Sequence, residues 1–229
     1  MKIGVISLGC AKNLVDTEEL LGVLRASGQE LTTSYEEAQA IIINTCGFIA
    51  PAREEAVQTM EEILALKGKT LKKVVVIGCL ATRYKAELIE NFPDVDRFIA
   101  LDEYDHIGSI LTETLGVHIV NSYGKVPRVL SGKPWMAYVR IADGCDNRCA
   151  YCAIPSIRGR FRSRSEESIV AECERLIAAG VQEINLIAQD SSMYGVDLDG
   201  RPHLSHLLYT LNRLPGARWI RVLYLYPDE

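Results

Sequence analysis

Residues 73–79 read KVVVIGC. Four consecutive β-branched residues close on a glycine and a cysteine. Such side chains favour a pleated, packed surface. An apolar run without polar alternation is the pattern of a strand covered on both faces. Two other stretches share this pattern: residues 2–10 read KIGVISLGC and residues 40–46 read AIIINTC. Each is a strand that ends on a cysteine.

Helical patterns lie between these strands. Leu20, Leu21 and Leu24 recur at helical spacing within residues 16–27, and Gly28 follows as a stop. Residues 50–67 form a long helical pattern closed by Gly68. Residues 81–91 form another before Pro93. Short strands are expected at 30–33 and 97–101, and a helix at 107–115. Buried strands alternating with helices predict a doubly wound α/β domain with a parallel sheet over residues 1–116.

Gly124, Pro127, Gly132 and Pro134 then break the pattern, and residues 117–133 read as a linker. Alternation resumes in a second domain, residues 134–229. Strands are expected at 136–141, 183–188 and 219–226, and helices at 166–179 and 204–214. Ser165 can cap the first of these helices, with Glu166 and Glu167 in its opening turn. Three β/α units begin a barrel but cannot close one, because small closed barrels need about eight strands. The chain stops at Pro227, Asp228 and Glu229 directly after a strand. The expectation is a fragment carrying the first half of a partial barrel.

The chain has 229 residues, 48% hydrophobic and 24% charged, which is ordinary for a globular protein. A net charge of −5 excludes a whole-protein basic field for nucleic acid, so no stable nucleic-acid complex is expected. The apolar runs are strand-length, far short of the roughly 20 residues of a spanning helix. MKIGVISLGC lacks the regions of a signal peptide. A cytoplasmic location without membrane association is expected. Structural disulfides are rare there, so the seven cysteines read as ligands, catalytic groups or packing residues.

Residues 144–155, GCDNRCAYCAIP, carry the second set of cysteines. Cys145, Cys149 and Cys152 have C-x3-C-x2-C spacing directly after an expected strand. One loop can fold three thiolates around a single cubane, leaving one iron open for chemistry. The alternative is a structural zinc site or buried thiols. Closed zinc sites normally take four ligands, and no fourth Cys or His lies close by in the sequence. Cys10, Cys46 and Cys79 each follow a strand. In an open parallel sheet those strand ends share one edge, so the three can converge. Helix N-termini follow them and favour thiolates. Taken singly, each could equally be a small buried residue. Cys173 lies mid-helix, matches no motif and is read as packing.

The cysteine loop resembles that of the radical S-adenosylmethionine (SAM) enzymes. Both cysteine sets together resemble the methylthiotransferase family within them, over essentially the whole chain. That resemblance implies two 4Fe–4S clusters, one on Cys10, Cys46 and Cys79 and one on Cys145, Cys149 and Cys152, with SAM bound at the open iron of the second. Tyr151 then corresponds to an aromatic residue that contacts the adenine, although alone it could equally be packing. Gln189, at a strand end, is placed to contact SAM, or else to form a loop-entry turn.

SLGCAKNLVDTE, ADGCDNRCAYCAIPSIRGRFRSR and LIAQDSSMYGVDL resemble the members that modify a ribosomal protein. The tRNA-modifying members tend towards YGCQMN and GQN at the matching places. This chain has Lys12 and Asn13, and then Ala188, Gln189 and Asp190. The implied reaction is methylthiolation of an aspartate β-carbon in small ribosomal subunit protein twelve, with a reductase as electron donor. A tRNA-modifying enzyme and a non-catalytic iron–sulfur redox sensor are the rival readings. The resemblance implies further barrel strands and a small β-barrel domain in relatives, and the expectation is that this chain carries neither.

Other residues read less sharply. Arg158, Arg160, Arg162 and Arg164 could meet the SAM carboxylate, an acidic substrate residue or RNA phosphate, or form a salt-bridged segment. Lys12 and Asn13 could line the first cluster or form a strand–helix turn. Asp190 could cap a helix. His106, His118, His203 and His206 show no ligand spacing with the cysteines.

Overall fold

The computed structural model describes residues 1–226. Residues 227–229, read above as the point where the barrel breaks off, lie outside them. The chain divides into two compact units, Met1–Val129 and Leu130–Glu229.

The first unit runs β1 (Lys2–Ser7), α1 (Ala11–Ala26), β2 (Glu30–Thr32), β3 (Ala40–Thr45), α2 (Ala50–Leu64), β4 (Lys73–Gly78), α3 (Cys79–Asn91) and β5 (Arg97–Ile99). A 3-10 turn (Leu101–His106) and α4 (Ile107–Leu115) follow. The sheet is parallel in the order β2-β1-β3-β4-β5. Its connections change direction between β1 and β3, the place where such sheets bind ligands.

Side-chain alternation explains why both faces are covered. Ile41 and Ile43 of β3, with Val74 and Val76 of β4, pack on Ala56, Met60 and Leu88 of α2 and α3. Ala40, Ile42, Val75 and Ile77 point the other way, onto Leu20, Leu24, Ile107 and Leu111 of α1 and α4. Each such Ile or Leu contributes about 1.5–3 kcal/mol by leaving water. The register aligns Ile6 with Ile43 and Ile43 with Val76. The cysteines that follow these strands therefore emerge along one edge.

Residues 117–129, read as part of a linker, are packed against α1 instead. A Cβ on Gly22 would lie 2.5 Å from the Pro127 carbonyl oxygen, so only glycine admits this approach. Arg128 Nη1 donates to Glu18 Oε2 at 2.8 Å with both side chains buried. The segment has no regular structure, but it belongs to the core of its unit.

The second unit contains β6 (Met136–Arg140), β7 (Ala142–Asp143), α5 (Ile154–Arg158), β8 (Arg162–Ser163), α6 (Glu166–Ala178), β9 (Glu183–Ile187), α7 (Val196–Asp199), α8 (Leu204–Leu211) and β10 (Trp219–Val222). Strands β6, β9 and β10 form a parallel sheet with β9 central. Val139, Ile184 and Leu186 pack under α6 and α8 through Ile169, Cys173, Leu176, Leu207 and Leu211. Cys173 is thus a core residue. Ser165 accepts from the Ser168 amide and caps α6. The short elements α5, α7, β7 and β8 had no counterpart in the sequence reading. The last two form a small antiparallel ladder that brings residues 142–143 and 162–163 together.

Candidate functional sites

In the first unit, the fold gathers the loops that bear Cys10, Cys46 and Cys79. Gly9 has φ +92°, and a Cβ there would meet the Cys46 Cβ at 2.6 Å. A Cβ on Gly47 would meet the Cys79 carbonyl oxygen at 2.9 Å. The loops interlock because these positions lack side chains.

Asn13, fully buried, joins all three loops. Its Nδ2 donates to the carbonyls of Leu8 (3.1 Å) and Thr45 (3.0 Å). Its Oδ1 lies 3.8 Å from Cys10 Sγ and 3.6 Å from Cys79 Sγ, where it accepts from the thiols. Asn44 Nδ2 in turn donates to the Asn13 carbonyl at 2.8 Å. The sequence left Asn13 open between lining the first cluster and forming a strand–helix turn; this bridging role depends on atoms far apart in the chain.

Cys10 is exposed, while Cys46 and Cys79 are buried; none of the three is in a disulfide. Cys10 caps α1 and Cys79 opens α3, and neither helix has an acidic residue in its first turn. The positive helix ends are left to act on the sulfurs.

In the second unit, the loop after β7 carries Cys145, Cys149 and Cys152, again all free. Burial pushes the Cys145 thiol up, and the charges of Asp190, Cys152 and Cys149 add to it. A positively charged metal centre would reverse the effect, because ligation deprotonates thiols. Within the loop, the Cys152 amide donates to the Cys149 carbonyl at 3.0 Å, which holds those two residues in one turn. Among the described residues, no three Cys, His, Asp or Glu side chains surround a single ion. A cubane spaces its thiolates around a whole cluster, so three thiols from one loop still fit it as a donor set.

Ion pairs brace this loop. Arg158 Nη1, buried, sits 3.3 Å from both Asp143 carboxylate oxygens. Burial alone would raise the Asp143 carboxyl, but Arg158, Arg140 and the Gly144 amide hold it below the usual carboxylate range. Arg160 bonds both oxygens of Asp146, and the Phe161 amide joins them. Arg164 bonds Glu172 at 2.6 Å. Three of the four arginines are thus paired with carboxylates, Arg158 in the interior, Arg164 partly buried and Arg160 at the surface. Arg162 has no carboxylate partner among the described residues. Asp190 ties the loop to the end of β9: Oδ2 accepts from Asn147 Nδ2 at 2.8 Å, and Oδ1 accepts from the Ser192 amide at 3.1 Å.

Gln189 lies one residue before Asp190. Both polar atoms of its side chain are buried without a partner among the described residues. A buried, unsatisfied amide is costly and awaits an acceptor or donor. Tyr151 is 83% exposed. Cys149 Sγ lies 3.7 Å from the Tyr226 hydroxyl. Contact with Cys149, with a lesser effect of Tyr151, pushes Tyr226 up to about 12. The sequence carried no signal for Tyr226 at this loop. His203 pairs with Asp199, and His206 with Glu166.

Residues 2–100 match the uncharacterised protein family UPF0004, and residues 139–226 match the radical SAM superfamily. Curated relatives match across the whole chain. The ribosomal protein uS12 methylthiotransferase RimO of Heliobacterium modesticaldum is 49% identical over 100% of this chain and 52% of its own length. Those of Aquifex aeolicus and Clostridioides difficile are 46% and 43% identical over 100% of this chain, and over 50% and 54% of their own lengths. The chain belongs to the radical SAM methylthiotransferase family. It spans about half the length of the curated relatives it matches.

Membership of the radical SAM methylthiotransferases brings an iron–sulfur cluster and SAM as the family's cofactors. Among solved structures, the radical SAM methyltransferase TsrM from Kitasatospora setae aligns with a TM-score of 0.58 at 15% identity, covering 91% of this chain and 50% of TsrM. At that identity the likeness concerns the fold alone. Among the described residues, no helix is long and apolar enough to cross a membrane.

Proposed function

We propose that this chain belongs to an enzyme that methylthiolates the β-carbon of an aspartate in ribosomal protein uS12. The observation that carries this reading is the presence of a cysteine triad in each of two separately folded units, matched along the whole chain by relatives named for that activity.

Cys10, Cys46 and Cys79 would hold one 4Fe–4S cluster, and Cys145, Cys149 and Cys152 the other. When bound, these clusters supply the electron that cleaves SAM to a radical and an open iron at which sulfur is presented. The chain's own residues prepare both places. Asn13 fixes the three loops of the first triad. Asp143, Asp146 and Asp190 fix the loop of the second. The orphaned amide of Gln189 would hydrogen-bond SAM, and exposed Tyr151 would cover the adenine. A cytoplasmic reductase supplies electrons, and the cytoplasm is where the ribosomal substrate resides.

Anaerobic loading with iron and sulfide tests the cluster count. About eight irons are expected in wild type and about four in a Cys145/Cys149/Cys152→Ala variant. About four falling to none would remove the first cluster from the reading. Mass analysis of the product then decides the substrate: a modified aspartate peptide supports uS12, and a modified adenosine would replace it with tRNA.

A further inference from the structure

Strand β10 ends at Val222, and hydrogen bonds hold the chain beyond it against the end of β9. The Leu223 amide donates to the Leu186 carbonyl at 3.0 Å, and the Ser191 amide donates to the Tyr224 carbonyl at 2.8 Å. Ser191 Oγ donates to the Leu223 carbonyl at 2.6 Å. Ser192 Oγ accepts from the Tyr226 amide at 2.9 Å. The side chains of Tyr224, Leu225 and Tyr226 are exposed, so these bonds rather than apolar packing of those three hold the segment.

Tyr224 has φ +62°, in the left-handed region, and is the one non-glycine residue with positive φ among the described residues. A bulky side chain adopts that conformation at a cost, and such strain persists where surrounding bonds impose it. The turn leaves the Tyr226 hydroxyl 3.7 Å from Cys149 Sγ, a length that the large sulfur atom allows a hydrogen bond. The cysteine loop shares the same anchor. Asp190 Oδ1 accepts from the Ser192 amide, and Oδ2 accepts from Asn147 Nδ2. The serine that holds Tyr226 therefore also holds, through one carboxylate, the loop that carries Cys149. The Asn147 amide donates to the Cys145 sulfur, so two sulfurs of this triad have a donor beside them.

We propose that Tyr226 is a positioning residue of the second triad, whose hydroxyl donates a hydrogen bond to the Cys149 thiolate and eases one-electron reduction of the cluster held there. This role rests on the function proposed above. A metal-bound cysteine is a thiolate and can only accept, so the phenol is the donor. Reduction adds one negative charge to the cluster. A donor aimed at its sulfur stabilises the reduced form more than the oxidised form and raises the potential. No covalent bond changes, the proton stays on the tyrosine, and the electron comes from the reductase.

The test uses the complete protein, loaded anaerobically with iron and sulfide, poised at a series of potentials and followed by electron paramagnetic resonance. SAM added to each sample marks the second cluster, whose signal alone it should change. Tyr226→Phe removes the hydroxyl and keeps the ring. At the potential that half-reduces this cluster in wild type, the reduced-to-oxidised ratio of the variant is expected to fall about fivefold, the factor that one ordinary hydrogen bond carries. The ratio is read per cluster, so partial loading does not alter it. Tyr209→Phe on α8, whose hydroxyl meets Arg213, should keep the wild-type ratio. An unchanged ratio in Tyr226→Phe, or an equal fall in Tyr209→Phe, would overturn the role of Tyr226 while leaving the cluster in place. A wild type without a SAM-sensitive cluster signal would overturn the function proposed above, and this role with it.

Discussion

The two cysteine triads are built in opposite ways. Cys145, Cys149 and Cys152 sit in one short loop, and salt bridges from nearby residues hold that loop in shape. Cys10, Cys46 and Cys79 come from three strand ends, and they meet only because the sheet order and register bring those ends to one edge. The local triad depends on charge. The assembled triad depends on the fold of its whole unit, and on glycines and one buried amide where its loops touch.

The strongest way to break the contrast is Arg128→Ala. It removes one partner of the buried Glu18–Arg128 ion pair, a change that costs about 3–5 kcal/mol. Urea unfolding should show that loss in the first unit. Iron on the first triad should fall with it while iron on the second triad stays. Gly9→Val is next. A β-branched residue at φ +92°, pressed against Cys46, should cost about 3 kcal/mol in strain and overpacking. Iron counting should again show loss at the first triad alone.

Arg158→Met probes the other side, with an expected cost of about 2 kcal/mol for a lost charge-assisted bond. It also carries a pH signature. The folded Asp143 carboxyl lies below its unfolded value, so its contribution is full above about pH 4 and is lost as pH falls through the folded value. Wild type should lose stability on acidification below that point, and Arg158→Met should lose less. The smallest effect is Ser165→Ala, about 1 kcal/mol from the missing cap on α6. Thermal melts should register it without any change in iron at either triad.

The sequence was most legible where one kind of physics acted alone. Strand β3 spans Ala40–Thr45 as expected, because every residue in it is buried and the pattern has no competing signal. Helix α4 also keeps its expected bounds, ended by Gly116 in the left-handed region. Residues 117–129 were misread because Gly124 and Pro127 announce a loop, whereas the Gly22 approach and the Glu18–Arg128 pair that pack it are long-range. The start of α3 was placed at residue 81, but the helix begins on Cys79 itself. At the sites, the six cysteines stood out by position. Their supports did not: Asn147 with Asp190, Tyr226 beside Cys149, and Asn13 between two thiols are pairings that no local spacing encodes.

Asn13 has a consequence for how the protein ages. Both hydrogens of its amide nitrogen are taken by carbonyls, so the group cannot turn over. Hydrolytic loss of that nitrogen would put a carboxylate oxygen against the carbonyls of Leu8 and Thr45 and convert two bonds into two repulsions. A chemical lesion of a single atom, invisible to any measure of cysteine content, would then spring the three loops apart. Burial at the start of α1 shields this amide from water.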